Sequence, residues 1–339
     1  MTQHKKHNMF SAPSFDEIKD AAKAFNAVGT KTPILENKEV NKALGARILI
    51  KDETAQRTGA FKFRGAYNRM RQLSEKELNA GVITYSSGNH GQAVALAATL
   101  FGTQVTIVMP DDAPLEKIND THNLGATIKT YDRNQETRQE AIIRFKGDQD
   151  LIEVPPSEDR RVLAGAGTVA LEFIEQAKEN GVSLDIVLVP CGGGGLTAAT
   201  ALVFEEQSPN TKIYAVEPEL FDDTKKSFEA GRRIANKKGQ KTICDAIMTD
   251  IPGELTFSIN KEKLSGVLTV SDEEVEHAVA FAFKEYKAVI EPGAAVGLAA
   301  ILANKIDIEN QHIGIIATGG NVEHKTFCNA LKNSTAAKP

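Results

Sequence analysis

Ile186-Val187-Leu188-Val189-Pro190-Cys191-Gly192-Gly193-Gly194-Gly195-Leu196 is the stretch on which the fold turns. Asp185 to Pro190 reads as a strand: short, apolar and without alternation, as in a strand buried on both faces. Gly192 to Gly195 reads as a turn, and Leu196 to Glu205 as a helix. Glycine lets backbone amides approach an anion closely, and the helix that follows presents free N–H groups at its positive end. A phosphate is the natural guest; a tight turn with no guest is the plain alternative.

Outward from that unit, strand-like and helix-like runs alternate. Arg47 to Lys51, Val82 to Tyr85, Val105 to Met109, Thr127 to Tyr131, Lys212 to Val216 and Ile313 to Ala317 read as strands. Helical spacing covers Phe63 to Leu73, Gln92 to Leu100 and Leu115 to Asn123. Short apolar runs separated by helices imply an α/β fold with parallel sheet covered on both faces. Pro155-Pro156-Ser157-Glu158-Asp159 is polar, carries two prolines and reads as a linker. Residues 1–12 and 333–339 are expected to be disordered, with no regulatory domain after Asn329.

Composition sets outer bounds. The chain has 339 residues, 41% hydrophobic and 25% charged, enough for two compact domains and ordinary for a soluble protein. A net charge of -5 with scattered Lys and Arg argues against a nucleic-acid partner. No apolar run reaches the roughly 18 residues of a membrane helix. The N-terminus lacks a signal-peptide pattern, and the three separated cysteines suit a reducing compartment rather than disulfides or zinc. A cytoplasmic enzyme is the expectation.

Two further segments carry chemistry. Phe61-Lys62-Phe63-Arg64-Gly65-Ala66 sets a lysine between two aromatic rings at a helix start, where loss of water makes an amine a better nucleophile toward a carbonyl. Ser86-Ser87-Gly88-Asn89-His90-Gly91 follows an apolar run. The glycine run lacks the Gly-Lys-Ser/Thr ending of a kinase-type loop. A dinucleotide fold stays open as a rival, because Gly193, Gly195 and Ala198 match G-x-G-x-x-A and Glu217 ends the next strand. That rival, a nicotinamide-dependent oxidoreductase, leaves Lys62 and the serine-asparagine turn without a role.

Taken in order with Lys31-Thr32-Pro33 and Thr318-Gly319-Gly320-Asn321, these segments resemble the fold-type II pyridoxal-phosphate enzymes, in their serine/threonine dehydratase and serine racemase branch. The resemblance runs from about Thr32 to Leu331. It implies a tryptophan synthase β-like α/β fold of two doubly wound domains with mostly parallel sheets: 13–76 and 153–332 forming the large one, 77–152 a small one inserted in it. It implies that Lys62 holds pyridoxal 5'-phosphate as a Schiff base, flanked by Phe61 and Asn89, the latter bonding the ring's 3-oxygen. Gly192, Gly193, Gly194, Gly195 and Leu196 would cradle the phosphate. Thr318 stands where the family has a serine facing the pyridine nitrogen; a hydroxyl there leaves the ring a weaker electron sink, which suits elimination.

By the same resemblance Lys62 and Ser87 are the catalytic pair on opposite faces. Ser86, Ser87, Asn89, His90, Arg138 and Thr249 would contact the substrate, although Ser87 can equally be a turn hydroxyl and His90 a packed histidine. Glu217, Phe221 through its carbonyl, and Asp223 would hold Mg2+ or Ca2+; helix capping is the plain alternative. Where the branch often has Ala-Asp-Gly, this chain has Cys244-Asp245-Ala246. The expected activity is dehydration and deamination of L-threonine or L-serine to a 2-oxo acid and ammonia, with serine racemase and L-threo-3-hydroxyaspartate ammonia-lyase as alternatives. A small amino acid is the expected partner, in a homodimer.

Overall fold

A computed structural model describes residues 11–113 and 115–336. Ten strands run through the described residues. The first five are β1 (Ile34–Leu35), β2 (Arg47–Asp52), β3 (Val82–Tyr85), β4 (Val105–Pro110) and β5 (Thr127–Tyr131). The second five are β6 (Ile152–Glu153), β7 (Ile186–Pro190), β8 (Lys212–Pro218), β9 (Gly266–Val270) and β10 (His312–Ala317). They form a six-stranded sheet in the order β1-β2-β10-β7-β8-β9 and a four-stranded sheet in the order β5-β4-β3-β6. Among the described residues only the short β1 pairs antiparallel, against β2; the other neighbours are parallel.

Parallel strands need crossovers, and the sequence supplies helices with clear start signals. Ser14 with Glu17, Ser74 with Glu77, Thr137 with Glu140 and Ser271 with Glu274 each form a capping box, satisfying two orphan amides reciprocally. Helices cover both faces of the large sheet. The Pro292–Leu302 helix packs on one face with Leu188, Ile313 and Ile315, while Arg160–Glu179 packs on the other with Leu49, Val187 and Ile316. The small sheet packs Val82, Val105 and Ile107 against the Asn89–Phe101 helix.

Two terminal expectations are corrected by the described residues. A helix running from His324 to Ala336 carries residues 333–336, and Ser11 accepts a hydrogen bond from Arg160 at 2.8 Å. Both segments find partners in the folded body, a context that polar composition alone does not disclose. Residues 1–10 and 337–339 lie outside the described residues. Among the described residues no helix is long and apolar enough to cross a membrane.

The strand ends position the site. β3, β7 and β10 each run at their carboxyl ends into one of the segments singled out above, β2 leads to the lysine segment through residues 53–59, and the carboxyl edge of parallel sheet is where α/β proteins bind ligands.

Candidate active site

Lys62 opens the helix Lys62–Met70, and its backbone is moored to the end of β10. The Phe61 amide donates to the Thr318 carbonyl at 3.0 Å, and Ala60 bridges Gly319. The Lys62 Nζ lies 5.1 Å from the centroid of the Phe61 ring and donates to the Pro156 carbonyl at 3.1 Å. No carboxylate among the described residues forms an ion pair with it. Burial pulls the amine from its ordinary 10.5 down to about 8, against the opposing pull of the Glu291 carboxylate. The desolvated amine expected from the flanking rings is therefore present.

The glycine turn faces this lysine across one short segment. Gly194 sits at φ +81 as the N-cap of the helix Gly195–Gln207, a conformation that only glycine adopts freely. A Cβ on Gly192 would lie 3.0 Å from the Ile247 backbone, and one on Gly193 would lie 2.9 Å from the Ser157 Oγ. The carbonyls of Gly193 and Gly194 accept from Thr256 Oγ1 at 2.6 Å and Asn260 Nδ2 at 3.2 Å. Among the described residues the amides of Gly192, Gly193 and Gly194 have no protein acceptor. Carbonyls tied back and amides left free at a helix N-terminus make a receptor for a phosphate.

Pro155 to Asp159 is not a linker. Pro156 takes the Lys62 amine, Ser157 rests on the glycine turn, and Glu158 accepts from the Leu255 and Thr256 amides at 2.9 and 3.3 Å. Asp159 caps the Arg160–Glu179 helix through the Arg161 amide at 2.7 Å and pairs with Arg69 at 2.9 Å. Polar residues beside prolines serve caps as readily as linkers, and sequence does not separate the two. Ser157, absent from the sequence-based site, thus lies between lysine and phosphate receptor.

In the asparagine turn, Ser86 Oγ accepts from the Gly88 amide at 3.1 Å, so the self-bonded hydroxyl is Ser86; Ser87 makes no such bond among the described residues. Asn89 donates from Nδ2 to Glu291 Oε1 at 2.7 Å, and its Oδ1 accepts from Asn321 Nδ2 at 2.8 Å. His90 is buried with Nε2 2.8 Å from the Val154 carbonyl. Burial, reinforced by the Lys62 charge, holds its imidazole neutral by lowering it to about 3. The ring is thus committed through Nε2, while its Nδ1 is buried without a partner among the described residues. Thr318 is buried beside this group, its carbonyl on Phe61.

Glu291, which the sequence reading passed over, completes the cluster. It is 3% exposed, and its carboxyl is pushed up to about 7 by burial and by Asp245. A signal was available: one acidic residue between Ala288-Val289-Ile290 and Pro292, at the start of an alanine-rich helix.

The outlying candidates divide. Arg138 lies over the Tyr85 ring at 5.5 Å, one residue before the asparagine turn, and pairs with Asp250 at 3.0 Å. The Thr249 hydroxyl lies instead 3.4 Å from both oxygens of Asp223. Glu217 and Asp223 are buried together, and burial raises both carboxyls, Asp223 to about 7. Glu217 accepts from the Thr224 and Lys225 amides at 3.0 and 2.9 Å, so it caps the helix Asp223–Ala230. Asp223 accepts from Asn236 at 2.7 Å. Among the described residues no group of three or more acidic, histidine or cysteine side chains could hold a metal.

A half-buried lysine without a carboxylate partner, facing an amide receptor beside an asparagine and a strand-end threonine, fits an aldehyde cofactor with a phosphate tail. Residues 26–319 match the family of pyridoxal-phosphate dependent enzymes, and the chain belongs to that family. It is 40% identical over 319 residues to the L-threo-3-hydroxyaspartate ammonia-lyase of Saccharomyces cerevisiae, covering 94% of this chain and 96% of that one. Serine racemase of Schizosaccharomyces pombe is likewise 40% identical over 319 residues, covering 94% and 97%. The crystal structure of serine racemase from Dictyostelium discoideum superposes with a TM-score of 0.85 at 36% identity, covering 92% of this chain and 99% of that one. The chain is thus a pyridoxal-phosphate enzyme of the ammonia-lyase and racemase group, with their α/β fold.

Proposed function

We propose that the protein eliminates water from L-β-hydroxyamino acids and releases a 2-oxo acid and ammonia. L-serine and L-threonine are the simplest such substrates, and L-threo-3-hydroxyaspartate is the favoured one. The observation that carries the reaction type is the Lys62 amine, desolvated to about 8 and free of a carboxylate partner. An amine in that range holds or yields a proton near neutral pH, as a general base must.

Pyridoxal phosphate, when bound, supplies the electron sink that acidifies the substrate Cα–H. Lys62 would hold the cofactor covalently before substrate arrives and then take the α-proton on Nζ. Gly192 to Gly195 and Leu196 would hold the phosphate, with Ser157 beside them, and Thr318 and Asn89 would orient the ring. The amides of Ser86 to His90 would receive the substrate carboxylate. Loss of the α-proton and of the β-hydroxyl as water leaves an enamine, whose hydrolysis gives the oxo acid and ammonia. Ser87, its hydroxyl uncommitted, would return a proton from the opposite face and give a racemase side reaction. A hard divalent ion held by Glu217, Asp223 and the Phe221 carbonyl would be a structural support, offsetting the burial that raises both carboxyls.

Arg138 supports the preference for hydroxyaspartate. It is a guanidinium at the asparagine turn, already holding one carboxylate, that of Asp250. The test is oxo-acid and ammonia release from L-serine, L-threonine and L-threo-3-hydroxyaspartate, with Lys62→Ala and Arg138→Ala alongside. Lys62→Ala should abolish all turnover, and Arg138→Ala should cost hydroxyaspartate more than serine. Turnover surviving in Lys62→Ala ends the proposal.

A further inference from the structure

We propose that Glu291 is a positioning residue that acts through Asn89, fixing which end of that amide faces the cofactor ring. This rests on the assignment of Asn89 to the ring made above. Hydrogen-bond polarity sets the orientation. An asparagine amide can present either a donor or an acceptor, and the two orientations differ only in what they meet. Here the neighbour on one side is fixed by a carbonyl, which can only accept, and on the other side a Glu291 oxygen takes an N–H.

On one side stands the Thr58 carbonyl, which takes Asn321 Nδ2 at 2.7 Å and so decides which end of the Asn321 amide is nitrogen. That same nitrogen donates its second hydrogen to Asn89 Oδ1 at 2.8 Å, with Gln92 Oε1 at 3.4 Å. On the other side Glu291 Oε1 takes Asn89 Nδ2 at 2.7 Å. The Asn89 oxygen and one of its N–H groups are thereby used, which leaves one N–H, a donor, for the ring's oxygen. Reversal would set nitrogen against the Asn321 nitrogen and would require the Glu291 carboxyl to donate rather than accept.

The surrounding backbone holds both ends of this relay. Glu291 is the N-cap of the Pro292–Leu302 helix, and its amide donates to the Gly319 carbonyl at 3.0 Å. A Cβ on Gly319 would lie 2.8 Å from Glu291 Oε1, so the carboxyl is pressed onto the segment that follows β10. At the far end Thr58 holds φ +61, a costly conformation for a β-branched residue. Charged groups around Glu291 are Asp245, Lys117 and Lys62, none of them in an ion pair with it, and burial lifts its carboxyl to about 7. A carboxyl kept in so unfavourable a place without a counterion is accounted for by the single hydrogen bond it accepts from Asn89.

The experiment reconstitutes apoprotein with pyridoxal phosphate and reads affinity and visible band position for wild type, Asn89→Ala, Glu291→Ala, Glu291→Gln and Asn89→Ala/Glu291→Ala. Thermal unfolding of each apoprotein serves as the fold control. Glu291→Ala and Asn89→Ala should each weaken binding about tenfold and move the band alike, the loss of one oriented hydrogen bond. The double variant should bind no worse than Asn89→Ala. Glu291→Gln should recover wild-type affinity to within about threefold, since its amide oxygen still accepts. Losses that multiply in the double variant, unchanged affinity in Glu291→Ala, or failure of Glu291→Gln to recover would each overturn the proposal. If Glu291→Ala does not fold, Asn321→Ala replaces it, frees the other end of the amide and must lose affinity only when Asn89 is present; a loss independent of Asn89 refutes the relay. Wild type that forms no borohydride-sensitive band would instead overturn the assignment of the site itself.

Discussion

Lys51 and Lys62 both carry desolvated amines, yet their surroundings are opposite. Lys51 donates to Glu172, Gln176 and the Thr32 carbonyl, each at 2.7 Å. Beside it Arg64 grips Glu53 through two bonds of 2.7 and 2.8 Å and reaches Glu172 at 2.9 Å, while the Thr32 hydroxyl donates to Glu53 at 2.6 Å. Two cations thus meet two anions with nearly every lone pair engaged. Lys62 meets one carbonyl, and its nearest carboxyl, Glu291, is bonded to an amide instead. Paired buried charges make structure, because each offsets the other's desolvation. Unpaired ones remain free to change protonation, and here they belong to the site.

The comparison breaks first at activity. Lys62→Ala should drop turnover at least about a thousandfold, to background, and remove the visible band, because no other amine can take its place. The apoprotein should not lose stability, since the variant deletes a desolvated amine without orphaning a carboxylate. Chemical denaturation of both apoproteins measures this. A destabilised Lys62→Ala would mean that the amine is paired after all.

Arg64→Ala should show the reverse pattern. It strands Glu53 in the interior, leaves Glu172 with Lys51 alone, and should cost about 3–5 kcal/mol, read as a lower urea midpoint at unchanged slope. A loss below about 1 kcal/mol would demote the network to the status of a surface ion pair.

Legibility in the sequence divides along the same line. The strands flanking the site were readable as apolar runs, and Val82–Tyr85 and Thr127–Tyr131 came out with their observed bounds. β1 and β6, two residues each, and β9, half-buried along its length, carry too weak a pattern to read alone. Lys62, Asn89 and the glycine turn were legible because their local motifs are unusual. Glu291 and Ser157 were not, because what they touch is remote: Glu291 meets Asn89 from 202 residues away. Nor could sequence show that Lys51, Glu53 and Arg64 are interior, since a charge beside a strand or on a helix is ordinarily solvated.

A pH titration of apoprotein stability should sharpen the contrast. Glu291 holds its proton up to about 7 when folded and gives it up near 4.5 when unfolded, so the folded state binds more protons between those values. Its stabilising contribution is complete below about 4.5 and lost as pH rises through 7, at most about 3 kcal/mol at 1.36 kcal/mol per pH unit. Lys62 acts in the opposite sense between about 8 and 10.5, where the unfolded chain keeps the proton and stability rises with pH. Glu291→Gln should flatten the fall between 4.5 and 7 and leave the alkaline rise in place. An unchanged profile below 7 would show that Glu291 is ionised in the folded protein at ordinary carboxylate pH.

The smallest effect tests whether the site is strained where the network is relaxed. Thr58 sits at φ +61 with its Oγ1 buried and without a partner, and its carbonyl anchors Asn321. Thr58→Gly removes a left-handed penalty of about 1–2 kcal/mol and an unsatisfied hydroxyl, and adds about 0.5–1 kcal/mol of chain entropy lost on folding. The balance is a gain of about 1 kcal/mol, visible as a rise of about 1–2 °C in Tm for a chain of 339 residues. Its sign carries the meaning. A substitution that stabilises the fold should at the same time loosen the Thr58–Asn321–Asn89 relay and weaken cofactor binding, which is how strain at a functional position behaves. No such stabilising exchange should exist at Glu53 or Arg64, whose partners are already satisfied. A Thr58→Gly protein less stable than wild type would mean that the left-handed turn is held by contacts of the threonine side chain and stores no strain.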